Sequence, residues 1–570
     1  MPTHTIFDHL YATASVLNWI GDDGRPREDG CLLEVDVPGI QNIIASARKA
    51  GDYRAGSTLV SLAVWGTAWR YMERHGPDIL LSPTSRFNPF FYLHIKNRGY
   101  GEGAYRLYVN VVRKLLPEAI NPISFIEAAP AMPGTAYLAL PSCTEAREAA
   151  KFFEETLEDI RAMARGEREA DLPLRGKPDG DVLKVARKAL DLMPKRYLPL
   201  RVRSISIKEA LPVAKEAAKE INQKAGFEVA PERLLFWALL KTLRSKPAVP
   251  HPVNWFGKGG TPSFAKLYDG PWIYSTLDPD QPAVLRLSGV LVNGVLDYDE
   301  DAKKTLGQLG VQNYNELKKV FKPKEALGPV DVLRRALYYA INKNRVESVD
   351  VIALKWHYQN GYFENCSKLN DKVKAVLDGG DAEAAFGSSE EADRALAEAP
   401  QMCGRSPNEP RPTLMYAIVR ADGDNISKIV SGCLPARPEP PDAKVEGDGE
   451  QWKKDAERFK KLAEAVDAIK PEDCGSSYVV PSPAYYAALS ASLMVTALRD
   501  VALVMRYGGD AVFAGGDDLL AFAPLATAFD IVIESRKAYW GDEGFHKIGS
   551  YVLPAPAAYG KSYSIRAAHA

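Results

Sequence analysis

From Asp510 to Pro524 the chain reads Asp-Ala-Val-Phe-Ala-Gly-Gly-Asp-Asp-Leu-Leu-Ala-Phe-Ala-Pro, two apolar runs joined by Gly515, Gly516, Asp517 and Asp518. Runs this short, parted by a glycine pair, predict two strands of a tight hairpin, because glycine takes the positive φ that such a turn needs. Asp517 and Asp518 are thereby expected at the hairpin tip. A further strand-like run, residues 414–421, ends in Asp422-Gly423-Asp424-Asn425, where a glycine and two acids interrupt it. Helical patterns over 451–470 and 482–505 lie between the two, the second opened by Ser482-Pro483 as N-cap and first helical residue. The order strand, two helices, hairpin is that of a split βαβ, ferredoxin-like palm, in which the first strand and the hairpin are neighbours and Asp422 faces Asp517.

Acids at the ends of adjacent strands suit phosphoryl transfer. They can hold two divalent cations about 3.5–4 Å apart, one activating an attacking hydroxyl and one stabilising the departing oxyanion. Mg²⁺ prefers few carboxylates plus substrate phosphates, and so sparse an acid set leaves room for the latter. Gly-Gly and Asp-Gly are each ordinary turn dipeptides, so it is their pairing in palm order that points to a site. A calcium loop starting at Asp422 is disfavoured, since the glycine at its sixth position and its terminal Glu are missing.

With 570 residues, 46% of them hydrophobic, the chain can form about three or four domains with proper cores. Charges nearly cancel to a net −1, so nucleic-acid contact must rely on local basic patches. The first twenty residues do not form a signal peptide, and no uncharged apolar run reaches the roughly 18–20 residues of a membrane span, which predicts a cytoplasmic protein without membrane contact. Cys31, Cys143, Cys366, Cys403, Cys433 and Cys474 are scattered without a CxxC pair, which predicts reduced thiols and no structural zinc.

Residues 1–28 form a short opening. Residues 29–180 then repeat the palm pattern: a strand over 31–37, a turn at Pro38-Gly39, a helix from Ile40, a second helix after Ser57, and a hairpin formed by 123–126 and 135–140 around 130–134, with no acid at its tip. A helix follows from Ser142. Residues 181–410 are mainly helical, clearest over 213–225, 233–245 and 331–343, and end in a linker over 379–411. Residues 411–570 form the palm that carries the acids, interrupted by a polar, Pro-rich insertion over 435–449. The expected fold class is α+β, with two ferredoxin-like palm domains separated by a mainly helical one.

Several stretches together carry a resemblance: Pro2-Thr-His-Thr-Ile-Phe-Asp-His-Leu10, Asp36-Val-Pro-Gly-Ile-Gln41, Ala47-Arg-Lys-Ala-Gly-Asp-Tyr-Arg-Ala-Gly-Ser57, Ala421-Asp-Gly-Asp-Asn-Ile426, Ser482-Pro-Ala-Tyr-Tyr-Ala-Ala-Leu-Ser490, Phe513-Ala-Gly-Gly-Asp-Asp518 and Tyr559-Gly-Lys-Ser-Tyr-Ser-Ile-Arg-Ala-Ala-His569. In these the chain resembles the large palm-containing subunit of type III CRISPR effector complexes, in the Cmr branch. The resemblance implies a subunit that joins ATP into cyclic oligoadenylates when the complex captures target RNA with its crRNA, alongside other complex subunits. It implies catalysis at Asp517 and Asp518 and Mg²⁺ or Mn²⁺ on Asp422, Asp517 and Asp518. Nucleotide contacts are implied at Gly423, Asp424, Gly515, Gly516 and Ser490, with Gly56 and Ser57 near a second ATP in the acid-free palm. Departures are also present. Asp8-His9 reverses the His-Asp pair of the family's HD nuclease domain, Met402-Cys403-Gly404 keeps one cysteine of a zinc ribbon, and the expected C-terminal helical domain does not follow His569. DNA cleavage by this chain is therefore not expected. The alternatives are a non-catalytic scaffold in the same complex and a stand-alone nucleotidyl cyclase.

Overall fold

The structure is a computed structural model that describes the chain apart from residues 1–5, 117–119, 129–132, 168–170, 249, 258–259, 293–294, 343–347, 380–381, 407, 435–448, 475–476, 541–544, 549–550, 555–560 and 570. Two antiparallel sheets position the rest. The first contains β1 (Cys31–Asp36), β2 (Leu80–Ser82), β3 (Thr135–Leu140), β4 (Leu200–Ser206) and β5 (Pro250–His251), in the order β2-β3-β1-β4-β5. The second contains β6 (Met415–Gly423), β7 (Asp510–Ala514), β8 (Leu519–Pro524) and β9 (Lys561–His569), in the order β7-β8-β6-β9. Leaving out the two-residue β5, each sheet runs second, third, first, fourth in chain order. That is the ferredoxin-like arrangement, and it puts the first strand beside the third.

Period-two alternation explains why β1 is buried on both faces. Cys31, Leu33 and Val35 enter one large core, while Leu32 points the other way to Trp19 and the helices Ile207–Ala225 and Leu235–Ser245. The helix Ala50–His75 is buried on nearly every side and packs against β3 and the helix Ala149–Ala164. At Gly66 a Cβ would stand 2.4 Å from Thr156, so glycine lets the helix Ala149–Ala164 pack closely. The helix Pro483–Arg506 starts where expected, Ser482 accepting a hydrogen bond from the Tyr485 amide at 3.1 Å. It is long and apolar enough to cross a membrane by length and composition, yet most of its apolar stretch is packed inside the molecule.

The structure corrects several expectations. Residues 122–128 are a helix, not a strand: Pro122 occupies its first position and the Asn121 side chain accepts from the Ile123 amide at 2.9 Å. Residues 123–126 accordingly form no strand beside β3, and β2, far upstream, takes that place; most of the expected turn at 130–134 lies outside the described residues. The first sheet is completed by β4, beyond the boundary placed at residue 180. The supposed linker contains the helices Ala382–Phe386 and Ser389–Met402, the latter capped by Ser388. The insertion over 435–448 lies outside the described residues.

The cysteines are the largest correction. They are not free thiols but pair as Cys31–Cys143, Cys366–Cys403 and Cys433–Cys474. Separations of 112, 37 and 41 residues give no local spacing signal, since each pair meets only through the tertiary fold.

Candidate active site at the acid hairpin

Strand register brings the acids together. β6 and β8 are antiparallel with Ala421 opposite Leu519, so one step further along each strand sets Asp422 across from Asp518. The Gly515 amide donates to the Asp518 carbonyl at 3.0 Å and closes the turn. A register shift between Ala511 and Phe513 bends β7 just before that turn, as bulges beside functional sites do.

Two glycines are required by the geometry. Gly516 has φ of 99°, and a Cβ there would lie 2.3 Å from the Leu493 carbonyl, so the tip rests on the backbone of the Pro483–Arg506 helix. At Gly423 a Cβ would lie 2.7 Å from the Asp517 Cβ. No side chain fits between the end of β6 and the hairpin.

The resulting electrostatics are unfavourable for three free carboxylates. Burial raises the Asp518 carboxyl to about 7, with the Asp517 charge and a side-chain hydrogen bond to Asp422 adding to the shift. Burial also raises Asp517, against its backbone hydrogen bonds and the Lys561 charge. An all-oxygen set that repels itself is what a hard divalent cation relieves, so the donors fit Mg²⁺ or Mn²⁺. Among the described residues no three His, Cys, Asp or Glu side chains are gathered into a ready ligand shell; the acids meet as the hydrogen-bonded Asp422 and Asp518 with Asp517 in electrostatic contact. Asp424 is directed elsewhere, accepting from the Ser562 hydroxyl at 2.7 Å.

Behind the tip lies a group the sequence reading missed. Lys561 is fully enclosed, 2.7 Å from Asp500, and its ammonium also reaches the Gly516 carbonyl at 3.4 Å. The second Asp500 oxygen accepts from Ser535 at 2.6 Å, and the Ser535 hydroxyl stands 3.0 Å from that of Tyr563. The Tyr539 ring lies 5.2 Å from the ammonium, and its buried hydroxyl has no hydrogen-bond partner among the described residues. Asp500 is the one acid in the long, mostly apolar helix Pro483–Arg506, and that was the available signal for it.

Other expected contacts are placed differently. Ser490 is buried, and its hydroxyl accepts from the Thr84 amide at 2.6 Å, tying the loop after β2 to the Pro483–Arg506 helix. Gly56 and Ser57 lie inside the Ala50–His75 helix, not in a loop before it; Gly56 lets Ile43 and Ile44 approach, and the Ser57 hydroxyl is buried without a partner among the described residues. In the first sheet Asp36 ends β1 as Asp422 nearly ends β6. Asp36, however, is paired with Arg201 at 2.6 Å and accepts from Thr135, so that strand end is neutralised. The halves join close to the site, Arg54 bridging to Asp510 at 2.5 Å and Tyr53 meeting Phe522 edge to face.

Residues 32–165 match the family model of the CRISPR-associated protein Cmr2, N-terminal, and residues 415–547 match that of the Cas10/Cmr2 second palm domain. The second match contains Asp422, Asp517 and Asp518. The chain is homologous to Cmr2 subunits. It is 22% identical to the CRISPR system CMR subunit Cmr2 of Saccharolobus solfataricus, covering 100% of this chain and 67% of that protein. With the Cmr2 subunit of Pyrococcus furiosus the identity is also 22%, over 94% of this chain and 57% of the relative. This Cmr2 homologue thus spans between about half and two thirds of the length of the curated relatives it matches. Its fold is shared with chains of two cryo-EM structures of the type III-B Cmr-beta complex. The apo state gives a TM-score of 0.69 at 19% identity, covering all of this chain and 68% of that one; the state bound to cognate target RNA gives 0.68 at 20%, covering all of this chain and 69% of that one.

Proposed function

We propose that this Cmr2 homologue is the palm-bearing subunit of a cytoplasmic type III-B Cmr ribonucleoprotein, and that on capture of target RNA it converts ATP to cyclic oligoadenylates. The observation that carries this reading is the convergence of Asp422 with Asp517 and Asp518 at the ends of neighbouring strands. The matching strand order of the two sheets supports two palms, and Asp36 bound to Arg201 supports one of them being inactive.

In this reading a 3′-hydroxyl oxygen of one ATP bonds to the α-phosphorus of another, the bond from that phosphorus to the β-phosphate bridging oxygen breaks, and pyrophosphate departs. Mg²⁺ or Mn²⁺ held by Asp422, Asp517 and Asp518 would supply the charge that eases hydroxyl deprotonation and neutralises pyrophosphate. Gly423 and Gly516 let the hairpin tip close onto β6 and onto the Pro483–Arg506 helix, which holds the three acids together, and Gly515 completes the turn beside them where the triphosphate would bind. Raised carboxyls at Asp517 and Asp518 give the site a standing preference for positive charge.

The test is mass spectrometry of products made from ATP and Mg²⁺ by the reconstituted complex, with and without target RNA. Cyclic oligoadenylates should appear only with target RNA and vanish when Asp517 and Asp518 are both replaced by Ala. No product in either condition, with RNA binding intact, would leave the chain a scaffold.

A further inference from the structure

We infer that the buried Lys561–Asp500 pair is a positioning clamp that fixes the acid-bearing hairpin tip against the Pro483–Arg506 helix. It connects three separate elements. Lys561 begins β9, Asp500 lies in the Pro483–Arg506 helix, and the ammonium reaches back to the Gly516 carbonyl, one residue before Asp517. Both side chains are wholly enclosed.

Stability alone does not account for such a pair. A buried ion pair seldom outperforms well-packed apolar side chains of the same size, because two charges must be stripped of water. What it supplies here is direction. The pair is held on every side: Asp500 accepts from Ser535, Ser535 is within hydrogen-bond distance of Tyr563, and the Tyr539 and Tyr563 rings flank the ammonium at 5.2 and 6.0 Å. The same Tyr539 presents its hydroxyl to the end of β6, where a Cβ on Gly423 would lie 3.2 Å from it. The clamp and the acids therefore share one rigid wall, and Lys561 acts through the backbone of the tip, touching no reacting atom. Functional constellations hold their geometry only when such supporting groups are themselves locked.

The relevance of the clamp to cation binding rests on the metal reading above, so the test separates the two. Lys561→Met alone leaves Asp500 buried without its cation and is expected to destabilise the fold. Lys561→Met combined with Asp500→Leu removes both charges and is expected to melt no lower than the parent. Hydrogen exchange of the 513–520 peptide, measured without metal, is expected to accelerate in the double variant. Mn²⁺ binding, followed by electron paramagnetic resonance, is expected to weaken about 10-fold, as when a group supporting metal ligands is lost. Unchanged protection of the tip in a folded double variant would overturn the clamp. A parent chain that binds no Mn²⁺ through Asp517 and Asp518, with the tip still loosening in the double variant, would overturn the metal reading and uphold the clamp.

Discussion

Asp518 is the residue whose behaviour most distinguishes a cation site from a surface turn. An ordinary hairpin-tip aspartate titrates near 4 and contributes little; here burial, Asp517 and Asp422 hold the Asp518 carboxyl at about 7. The folded state therefore keeps this proton more tightly than the unfolded chain does. The stabilisation is fully present below the unfolded value near 4 and is lost as pH rises through about 7. Metal-free protein is accordingly expected to melt lower at pH 8 than at pH 5, and Asp518→Asn to remove part of that difference. Mg²⁺ at pH 8 should restore the parent's melting temperature more than the variant's, because only a ligand of the folded state shifts the equilibrium. Thermal scans over pH, with and without Mg²⁺, check all three. Sequence places these acids at a hairpin tip, but their mutual distances depend on strand register and become visible only in the fold.

Among the elements, the hairpin and the strand beside it were legible because glycine, paired acids and short apolar runs encode a turn locally. The Ser482 cap and the helix behind it were equally clear. The Pro122 helix was missed although its Asn-Pro start was present, because a short stretch such as Ile123-Ser-Phe-Ile126 fits a strand as well as a buried helix segment. The partner of β3 was missed because only three residues, Leu80–Ser82, form it. Close approach of elements, as opposed to their type, is invisible until the fold is known. Gly423 looks like a turn residue in sequence, yet its value lies in the 2.7 Å that a Cβ would leave to Asp517. Gly423→Ala is therefore expected to cost about 1–3 kcal/mol in stability, as overpacking does. Displacement of the acids should cost about 100-fold in product formation, as small misplacements in reacting geometry can. Denaturant melts and initial rates measure the two effects separately, and a folded variant of parental rate would show that the contact is loose.

At the scale of the whole molecule, two sheets of one strand order are locked together by charges that the sequence shows only as scattered residues. Arg335 is buried between Asp52 and Glu325, joining the helix Pro329–Ile341 to the helix Ala50–His75, and Arg54 of that second helix reaches Asp510 at the foot of the acid hairpin. Burial works against the Arg335 charge, but the two carboxylates outweigh it and hold the guanidinium charged; in turn, against its own burial, Asp52 is held well below the usual carboxylate range by Arg335. The disulfides belong to the same scale. Cys31–Cys143 closes 112 residues, a loop for which chain entropy alone predicts about 4–5 kcal/mol of stabilisation. Thiol titration of the unfolded, unreduced chain should find no free cysteine at any of the six positions. Cys31→Ser should lower the denaturation midpoint and expose one thiol, at Cys143; a parent chain with six reactive thiols would show that the pairs do not form.

The function proposed for this Cmr2 homologue depends on Asp422, Asp517 and Asp518 forming one cation site. The most direct measurement is anomalous diffraction from crystals grown with Mn²⁺ and a non-hydrolysable ATP analogue. Manganese peaks between the three carboxylates, with the analogue's phosphates completing the coordination, are the predicted result. An ordered hairpin with no manganese at these acids, or with the nucleotide bound elsewhere, would contradict the account.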